Sequence, residues 1–363
     1  MARIWVVTRD PGGHNAVWPA REELNRRHHH VLDIATGKAI EIMKSKKIPF
    51  VAVPETPTPF HDYSEFFESL KLPDIYITST CSEGGIGRNL IPYLRNFAVP
   101  TVAVTDFWGG GQNQFFKDTK FWPDAICVQD ELSKEILLGD WHGYSESRVH
   151  ITGQPAFDAL ANINTSEITD RVRQSSSCNE NWPIVVYAGQ LQGSSETLLS
   201  LVRALNNLPN KVYLALLKHP RMSMNSPEEE TPWNKAKNEF TNGVILERGN
   251  FSTDEWSAAC DVMVSMTSTV LATAGYLRKE CVSILLPQVD KLQGLGLSGL
   301  PMEKLGTCAV ARSQDETETL LKKALSQDGL GLRKNQENHF KLDGKSASRV
   351  ADVVENLLIK NGE

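Results

Sequence analysis

Short apolar runs alternate with longer amphipathic stretches along almost the whole chain, which is the pattern of strands exchanging with helices. In the first half the runs predict strands at Ile4–Thr8, Val31–Ala35, Phe50–Val53, Asp74–Thr78, Thr101–Val104, Asp124–Val128 and Val149–Thr152. Helical periodicity fills the gaps at about Ala16–Arg27, Lys38–Ser45, Ser64–Leu70 and Gly84–Asn96, with a further helix from Glu131. Pro54, Pro57 and Pro59 mark a loop after the third strand. From Asn162 to Trp182 the pattern lapses into the polar run TSEITDRVRQSSSCNEN, a linker with room for one helix. It then restarts with strands at Ile184–Tyr187, Val212–Leu217 and Val244–Leu246 and helices at Ser194–Leu205, within Pro227–Phe240 and at Thr253–Ala259. Amphipathic helices at Glu316–Leu325 and Ser346–Ile359 close the chain. Such alternation implies right-handed βαβ crossovers and parallel sheets, here as two doubly wound α/β domains in tandem. Ligands of such sheets bind beyond the carboxyl ends of the strands, which predicts a site in the cleft between the two halves.

One stretch organises the second half. Asp261–Leu286 reads DVMVSMTSTVLATAGYLRKECVSILL: a buried-strand run (Val262, Met263, Val264), a hydroxyl cluster, a helical run and a second buried strand from Cys281. A hydroxyl-rich turn into a helix leaves free N–H groups at the positive end of the helix dipole, the ingredients of a phosphate site. Ser268 or Thr269 serving as an ordinary N-cap is the plain alternative.

Composition narrows the classes of partner. The 363 residues are 40% hydrophobic and 23% charged with a net charge of −6, so no basic track for nucleic acid is present. No apolar stretch is long enough to span a bilayer, and the start, MARIWVVTRD, enters a strand without the apolar core of a signal peptide. Six cysteines lie far apart without a CxxC pair. That pattern fits a reduced, cytoplasmic setting and argues against a zinc site.

Several loops carry candidate chemistry. In loop 9–14, Pro11-Gly12-Gly13-His14 makes a tight turn into a helix, with glycines that permit positive φ and close backbone approach to a ligand. The spacing is not GxGxxG, so a dinucleotide fingerprint fails. A neutral His14 at the helix start can act as general base or bind a phosphate; merely capping the helix is the alternative. Gly189, Gln190, Gly193, Ser194 and Ser195 form the equivalent loop of the second half, able to cradle a diphosphate or to serve as an ordinary strand-to-helix turn. Lys218-His219-Pro220-Arg221 sets three potential cations at a strand's carboxyl end, suited to an anion, with a solvated basic turn as the alternative. Glu83 and Asp106 follow strands and are candidate bases or sugar-hydroxyl contacts, although lone loop carboxylates are more often structural. Trp108 to Gln112, with three glycines between, reads as a mobile cleft-lining segment, its glycines serving only a turn being the alternative. His28, His29 and His30 read as exposed residues rather than metal ligands, and Asp254 with Glu255 as dipole compensation at a helix start.

These motifs carry a resemblance. The GGH-x4-PA pattern at Gly12–Ala20 resembles the first loop of the glycosyltransferase that adds N-acetylglucosamine to the peptidoglycan lipid precursor, and AGQLQGSS is similar to that family's GGS-type loop. VHITGQPAFDAL looks like a TGNPVIDAL segment of UDP-N-acetylglucosamine 2-epimerases, and STVLATAGYLRKECVSILLP resembles the helix and strand before the nucleotide site of both groups. The resemblance implies a GT-B fold of two facing Rossmann-like domains: an acceptor domain over 1–162, a nucleotide-sugar domain over 183–345 and a last helix, 346–363, crossing back to the first domain. It implies a metal-independent enzyme whose nucleotide sugar is a substrate rather than a cofactor. The acceptor is then a glycan or a lipid-linked precursor, the latter met at the inner membrane face. Carried over residue by residue, His14 is the base or phosphate contact, Ser268 and Thr269 seat the diphosphate, and Met266 and Thr267 lie beside them. The ribose-binding glutamate of the family falls on Thr273, and Arg278-Lys279-Glu280 replaces its GKP, a departure from the pattern.

The leading expectation is a hexosyl transfer in which His14, Glu83 or Asp106 deprotonates an acceptor hydroxyl while backbone N–H groups, Lys218, His219 and Arg221 hold the departing diphosphate. A sugar-nucleotide 2-epimerase, and a GT-B module that binds ligand without catalysis, are the alternatives. Trp108, Gln112, Gly12 and Gly13 fall on the acceptor side of this reading.

Overall fold

The computed structural model describes residues 1–53, 67, 70–80, 85–108, 118–178, 181–190, 193–219, 227–290, 292 and 297–360. Glu83, Gln112, Arg221 and most of the predicted helix Ser64–Leu70 lie outside the described residues. Two compact units result: Met1–Ala159 with Asp343–Glu363, and Leu160–Leu342.

In the first unit the strands β1 (Arg3–Thr8), β2 (His30–Ala35), β3 (Val51–Ala52), β4 (Ile75–Ser79), β5 (Thr101–Val104), β6 (Ala125–Val128) and β7 (Val149–Ile151) form one sheet in the order β3-β2-β1-β4-β5-β6-β7. Every pairing is parallel. The apolar runs are continuous because both faces are covered. Trp5, Val7 and Tyr76 pack on one face with Ile86, Leu90 and Ile91 of the helix Ile86–Arg95. Ile4, Val6, Ile75 and Ile77 pack on the other with Ala16, Val17 and Ala20 of α1 (Pro11–Arg26).

The last helix, Ser346–Lys360, completes that second face through Val350, Ala351 and Val354. Its first turn is capped at a distance: Asp158 accepts the N–H groups of Ser346 at 3.0 Å and Ala347 at 2.7 Å. Arg27 pairs with Asp352 at 2.7 Å and Glu355 at 2.6 Å, fixing the helix across the end of α1. His29 corrects the expectation of three exposed histidines. Its Nδ1 accepts the Ala2 N–H at 3.2 Å, which leaves the proton on Nε2 to be donated to Glu355 at 3.0 Å. Neighbours in sequence diverge here because His28 takes φ 66° and ends the helix direction.

The second unit holds β8 (Ile184–Ala188), β9 (Val212–Leu217), β10 (Gly243–Leu246), β11 (Val262–Ser265), β12 (Glu280–Ile284) and β13 (Ala309–Ala311) in the parallel order β10-β9-β8-β11-β12-β13. The short edge strand β13 escapes sequence reading because three residues of AVA carry too little pattern. The polar linker stretch carries the helix Thr165–Ser175, which belongs to the second unit: Arg171 pairs with Glu255 at 2.6 Å and the Thr169 hydroxyl reaches the Ala258 carbonyl at 3.5 Å. Glu255 completes a capping box with Ser252, so Asp254 and Glu255 do mark a helix start, Thr253–Ala259.

Candidate functional site

Each sheet has one point where the strand order reverses, between β1 and β4 in the first unit and between β8 and β11 in the second. The helices leaving such neighbours diverge to opposite faces and open a crevice at the carboxyl ends. Loop 9–14 follows β1, and the loops that begin at Gly189 and Met266 follow β8 and β11, at these two points; Asp106 follows β5 and Lys218 follows β9, one strand further out in each sheet.

In the first unit α1 begins earlier than the periodicity predicts, at Pro11 rather than near Ala16. Asp10 caps it, its Oδ1 accepting the Gly13 N–H at 2.7 Å, and Pro11 occupies the first helical position where a missing N–H does no harm. Gly12 and Gly13 are therefore helical, not turn residues with positive φ. Gly13 is small for another reason: a Cβ there would lie 2.1 Å from Ser79 Oγ, so the absence of a side chain lets α1 approach the end of β4.

His14 sits in the first turn of this helix. Its ring is fully buried and stacked on Trp18 at 5.0 Å, with Nδ1 3.4 Å from the Thr8 hydroxyl and Nε2 buried without a hydrogen-bond partner. Burial, helped by the charge of Lys46, lowers its pKa to about 4, so the imidazole is neutral at pH 7. Asp106 follows β5 and accepts the Thr80 hydroxyl at 3.2 Å. Burial first, and the charge of Asp10 second, raise its pKa to about 7. Asp10 Oδ1 and Asp106 Oδ2 each lie 3.4 Å from the position a Gly12 Cβ would take, so the two carboxyls flank the start of the helix. Asp10 Oδ2 is buried without a partner. The arrangement offers a neutral imidazole able to hydrogen-bond and a carboxyl whose raised pKa lies near neutrality, the latter a property suited to a general acid or base.

Trp108 corrects the expectation of a mobile cleft-lining residue. It is 2% exposed, edge-on to Phe107 at 5.3 Å, and its indole N–H is given to Asp130 at 2.8 Å. Two positioning groups went unnoticed in the sequence. Gln154 donates to the carbonyls of Thr105 at 2.9 Å and Asp106 at 3.4 Å, tying the VHITGQP segment to the loop that carries Asp106. Asp10 was readable as an N-cap from the Asp-Pro pair at a helix start.

In the second unit Gln190 joins the two crevice loops: its side-chain carbonyl accepts the Thr267 N–H at 2.9 Å, and its amide donates to the Thr267 hydroxyl at 3.1 Å. Gly193 takes φ +76° to start the helix Ser194–Asn206 beside Val289. Ser194 is buried, and its hydroxyl bonds the backbone of Gln190; it closes the loop on itself rather than facing a ligand. Gly189 lies against Trp233, where a Cβ would come within 2.9 Å of the ring.

The hydroxyl cluster divides. Ser268 accepts the Val270 N–H at 3.3 Å, whereas Thr269 stands at the start of the helix Val270–Tyr276 without a side-chain capping bond and is exposed. Met266 is buried, its carbonyl accepting the Ser283 hydroxyl. Thr273 is buried as well, with its hydroxyl 3.4 Å from the Thr269 carbonyl. Lys218 is not held in reserve for an anion, since its ammonium lies 3.6 Å from Glu230 and 5.7 Å from the Trp233 ring. His219 follows it, half-buried. Among the described residues no group of three or more His, Cys, Asp or Glu side chains is placed to hold a metal, and no helix is long and apolar enough to cross a membrane.

No protein-family model matches the sequence, and no curated protein does. Solved structures do match, over nearly the whole chain. UDP-GlcNAc 2-epimerase from Neisseria meningitidis, bound to UDP-GlcNAc, gives a TM-score of 0.67 at 12% identity, covering 98% of this chain and 100% of that one. HepE of Anabaena, in complex with UDP-glucose, gives 0.63 at 12% identity over 98% of this chain and 100% of that one. The wall teichoic acid polymerase TagF gives 0.58 at 15% identity over 99% and 90%. Identities this low establish the fold, and the fold is GT-B: two Rossmann-like α/β domains with wholly parallel sheets, as the motif resemblance implied.

Proposed function

We propose that the chain is a nucleotide-sugar-dependent enzyme, and that its reaction is transfer of a hexose from the sugar nucleotide to an acceptor hydroxyl. The observation that carries this reading is the pair of carboxyls, Asp10 and Asp106, flanking the start of the helix that also buries the unpartnered His14 imidazole, with burial and the Asp10 charge raising the Asp106 pKa to about 7. The Asp106 carboxylate, with its raised pKa, can take a proton from an attacking hydroxyl at neutral pH, as ordinary solvated carboxylates do poorly, while the neutral His14 imidazole offers a hydrogen bond to the reacting groups. Glu83 remains part of the proposal as an alternative base.

In the second unit, the loop ends joined by Gln190 and Thr267, with Ser268 and the exposed Thr269, offer backbone N–H and hydroxyl groups to a diphosphate, and His219 and Arg221 add donors. Lys218 contributes less, because Glu230 already offsets its charge. The sugar nucleotide is the substrate in this reading, and no further cofactor is invoked. Structural neighbours include enzymes solved with UDP-GlcNAc and UDP-glucose, which makes UDP-sugars the first donors to try. Thr273 supplies a buried hydroxyl where the resembling families carry a ribose-binding glutamate, so a uridine donor needs another ribose contact.

A 2-epimerase reading draws on the same near-neutral carboxyl, since epimerisation also moves a proton. One experiment separates the two. Purified protein is incubated with UDP-GlcNAc and with UDP-glucose, first alone and then with lipid-linked and glycan acceptors. Isomerised sugar nucleotide without acceptor indicates the epimerase, and acceptor-dependent loss of donor indicates the transferase. Failure of any nucleotide or sugar nucleotide to raise the melting temperature overturns both and leaves a GT-B module without donor chemistry.

A further inference from the structure

The opposite end of the first sheet carries a cleft that the proposed reaction does not use. It measures about 380 Å³ and lies at the N-terminal ends of β1 and β2, lined by Arg3, Trp5, Asn25, His30, Leu32 and Lys71 among others. β1 rises about 3.3 Å per residue, which sets this cleft on the order of 17 Å from the Asp10 end of the same strand.

Strand geometry explains how these side chains meet. Arg3 and Trp5 are two residues apart and project from one face of the sheet; their register partners, His30 and Leu32, project from the same face. Trp5 is fully buried, yet its indole N–H has no hydrogen-bond partner, and Arg3 Nε is likewise buried and unpartnered. Buried donors left unpaired are uncommon in folded proteins and point to an acceptor that completes them.

No carboxylate among the described residues supplies one. Among the described residues none lines the cleft, the nearby Asp74 carboxylate is taken by the Arg3 backbone N–H at 2.6 Å, and Glu355 is engaged by His29 and Arg27. Leu32, Val31 and Leu70 give the remainder an apolar wall, and the volume lies at the small end of ligand pockets. Donors and cations on one side with an apolar wall on the other select an organic anion rather than a bare ion or a neutral sugar.

We propose that this cleft is a second ligand site, which takes a small phosphate monoester with an apolar body. Arg3 and Lys71 hold the phosphate, the Trp5 indole N–H donates to it, and the apolar wall receives the remainder. The full chain labelled with 15N-tryptophan tests this, the Trp5 indole resonance being identified with Trp5→Phe. Titration with phenyl phosphate shifts that resonance saturably, whereas phenol at equal concentration does not. Arg3→Met and the exposed Lys71→Met each weaken phenyl phosphate binding about tenfold or more. A Trp5 resonance that stays in place, that responds equally to phenol, or that keeps its affinity in both variants overturns the proposal and leaves a solvated structural cleft.

Discussion

Asp10→Asn isolates the charge that helps hold Asp106 near neutrality. The two 3.4 Å distances to the Gly12 Cβ position set the facing carboxyl oxygens within about 7 Å of one another. At that separation and an effective dielectric constant near 20, like charges repel by about 2 kcal/mol, between 1 and 2 pH units. Asn caps a helix as well as Asp does, so the Gly13 N–H keeps its acceptor and α1 keeps its start. Removing the Asp10 charge should therefore bring Asp106 down from about 7 to about 5–6, burial alone keeping it above the usual 3.8. The stability sign follows from the direction of the shift. A carboxyl whose folded pKa is raised contributes most below pH 4 and loses that contribution as pH rises through 7, so Asp10→Asn gains stability over the natural chain at pH 8 and gains none from this source at pH 3. The ceiling of the gain is about 2 kcal/mol, reduced by the partial exposure of Asp106. Carbon-13 carboxyl titration, with Asp106→Asn as the assignment control, reads the pKa directly, and urea unfolding at pH 5 and pH 8 reads the linkage. An Asp106 carboxyl in the ordinary range in the natural chain, or one unmoved by Asp10→Asn, refutes the reasoning.

Three further substitutions probe the same architecture. Gly13→Ala gains roughly 1 kcal/mol of helix propensity but sets its Cβ 2.1 Å from Ser79 Oγ and 3.0 Å from Ser79 Cβ, so urea melts should show a net loss of about 1–2 kcal/mol that Ser79→Gly relieves. Asp158→Ala strips the acceptor from Ser346 and Ala347; about 1 kcal/mol should be lost, with faster amide exchange confined to the start of the last helix. His14→Gln keeps a polar side chain in the first turn of α1 and should lower turnover by about a hundredfold or more at an unchanged melting temperature; native turnover would remove His14 from the mechanism.

The parallel sheets were legible because both faces of each strand are buried, so runs such as IWVVT and VYLALL are apolar without alternation. The start of α1 was not, because Gly12 and Gly13 read as turn residues when only composition is seen. Their real constraint is the approach of Ser79, some 66 positions further on, which no local pattern encodes. The burial of Trp108 is hidden for the same reason: a tryptophan before glycines reads as mobile and cleft-lining, and only the fold brings Asp130 to accept its N–H. That a loop stands at each strand's carboxyl end was legible, since it follows from alternation alone. The roles of Ser194 and Lys218 were not, because whether a hydroxyl or an ammonium is available depends on partners, Gln190 and Glu230, that only tertiary structure assigns.

Pairing also separates the chemistry of the two units. Among the described residues at the first unit's switch point, the groups left without partners are ionisable: Asp10 Oδ2 and His14 Nε2 are buried and unsatisfied, and the Asp106 pKa is raised to about 7. Buried unpaired groups of this kind lower stability, and a fold retains them where reacting atoms complete them. At the second unit's switch point the polar side chains are neutral and turned inward, Gln190 to Thr267, Ser194 to Gln190 and Thr273 to Thr269. A ligand there meets mainly backbone N–H groups and the exposed Thr269, which favours an acceptor-rich diphosphate over a cation. On the proposed reaction, substitutions in the first unit should fall on kcat and those at Gln190 and Thr269 on KM for the donor.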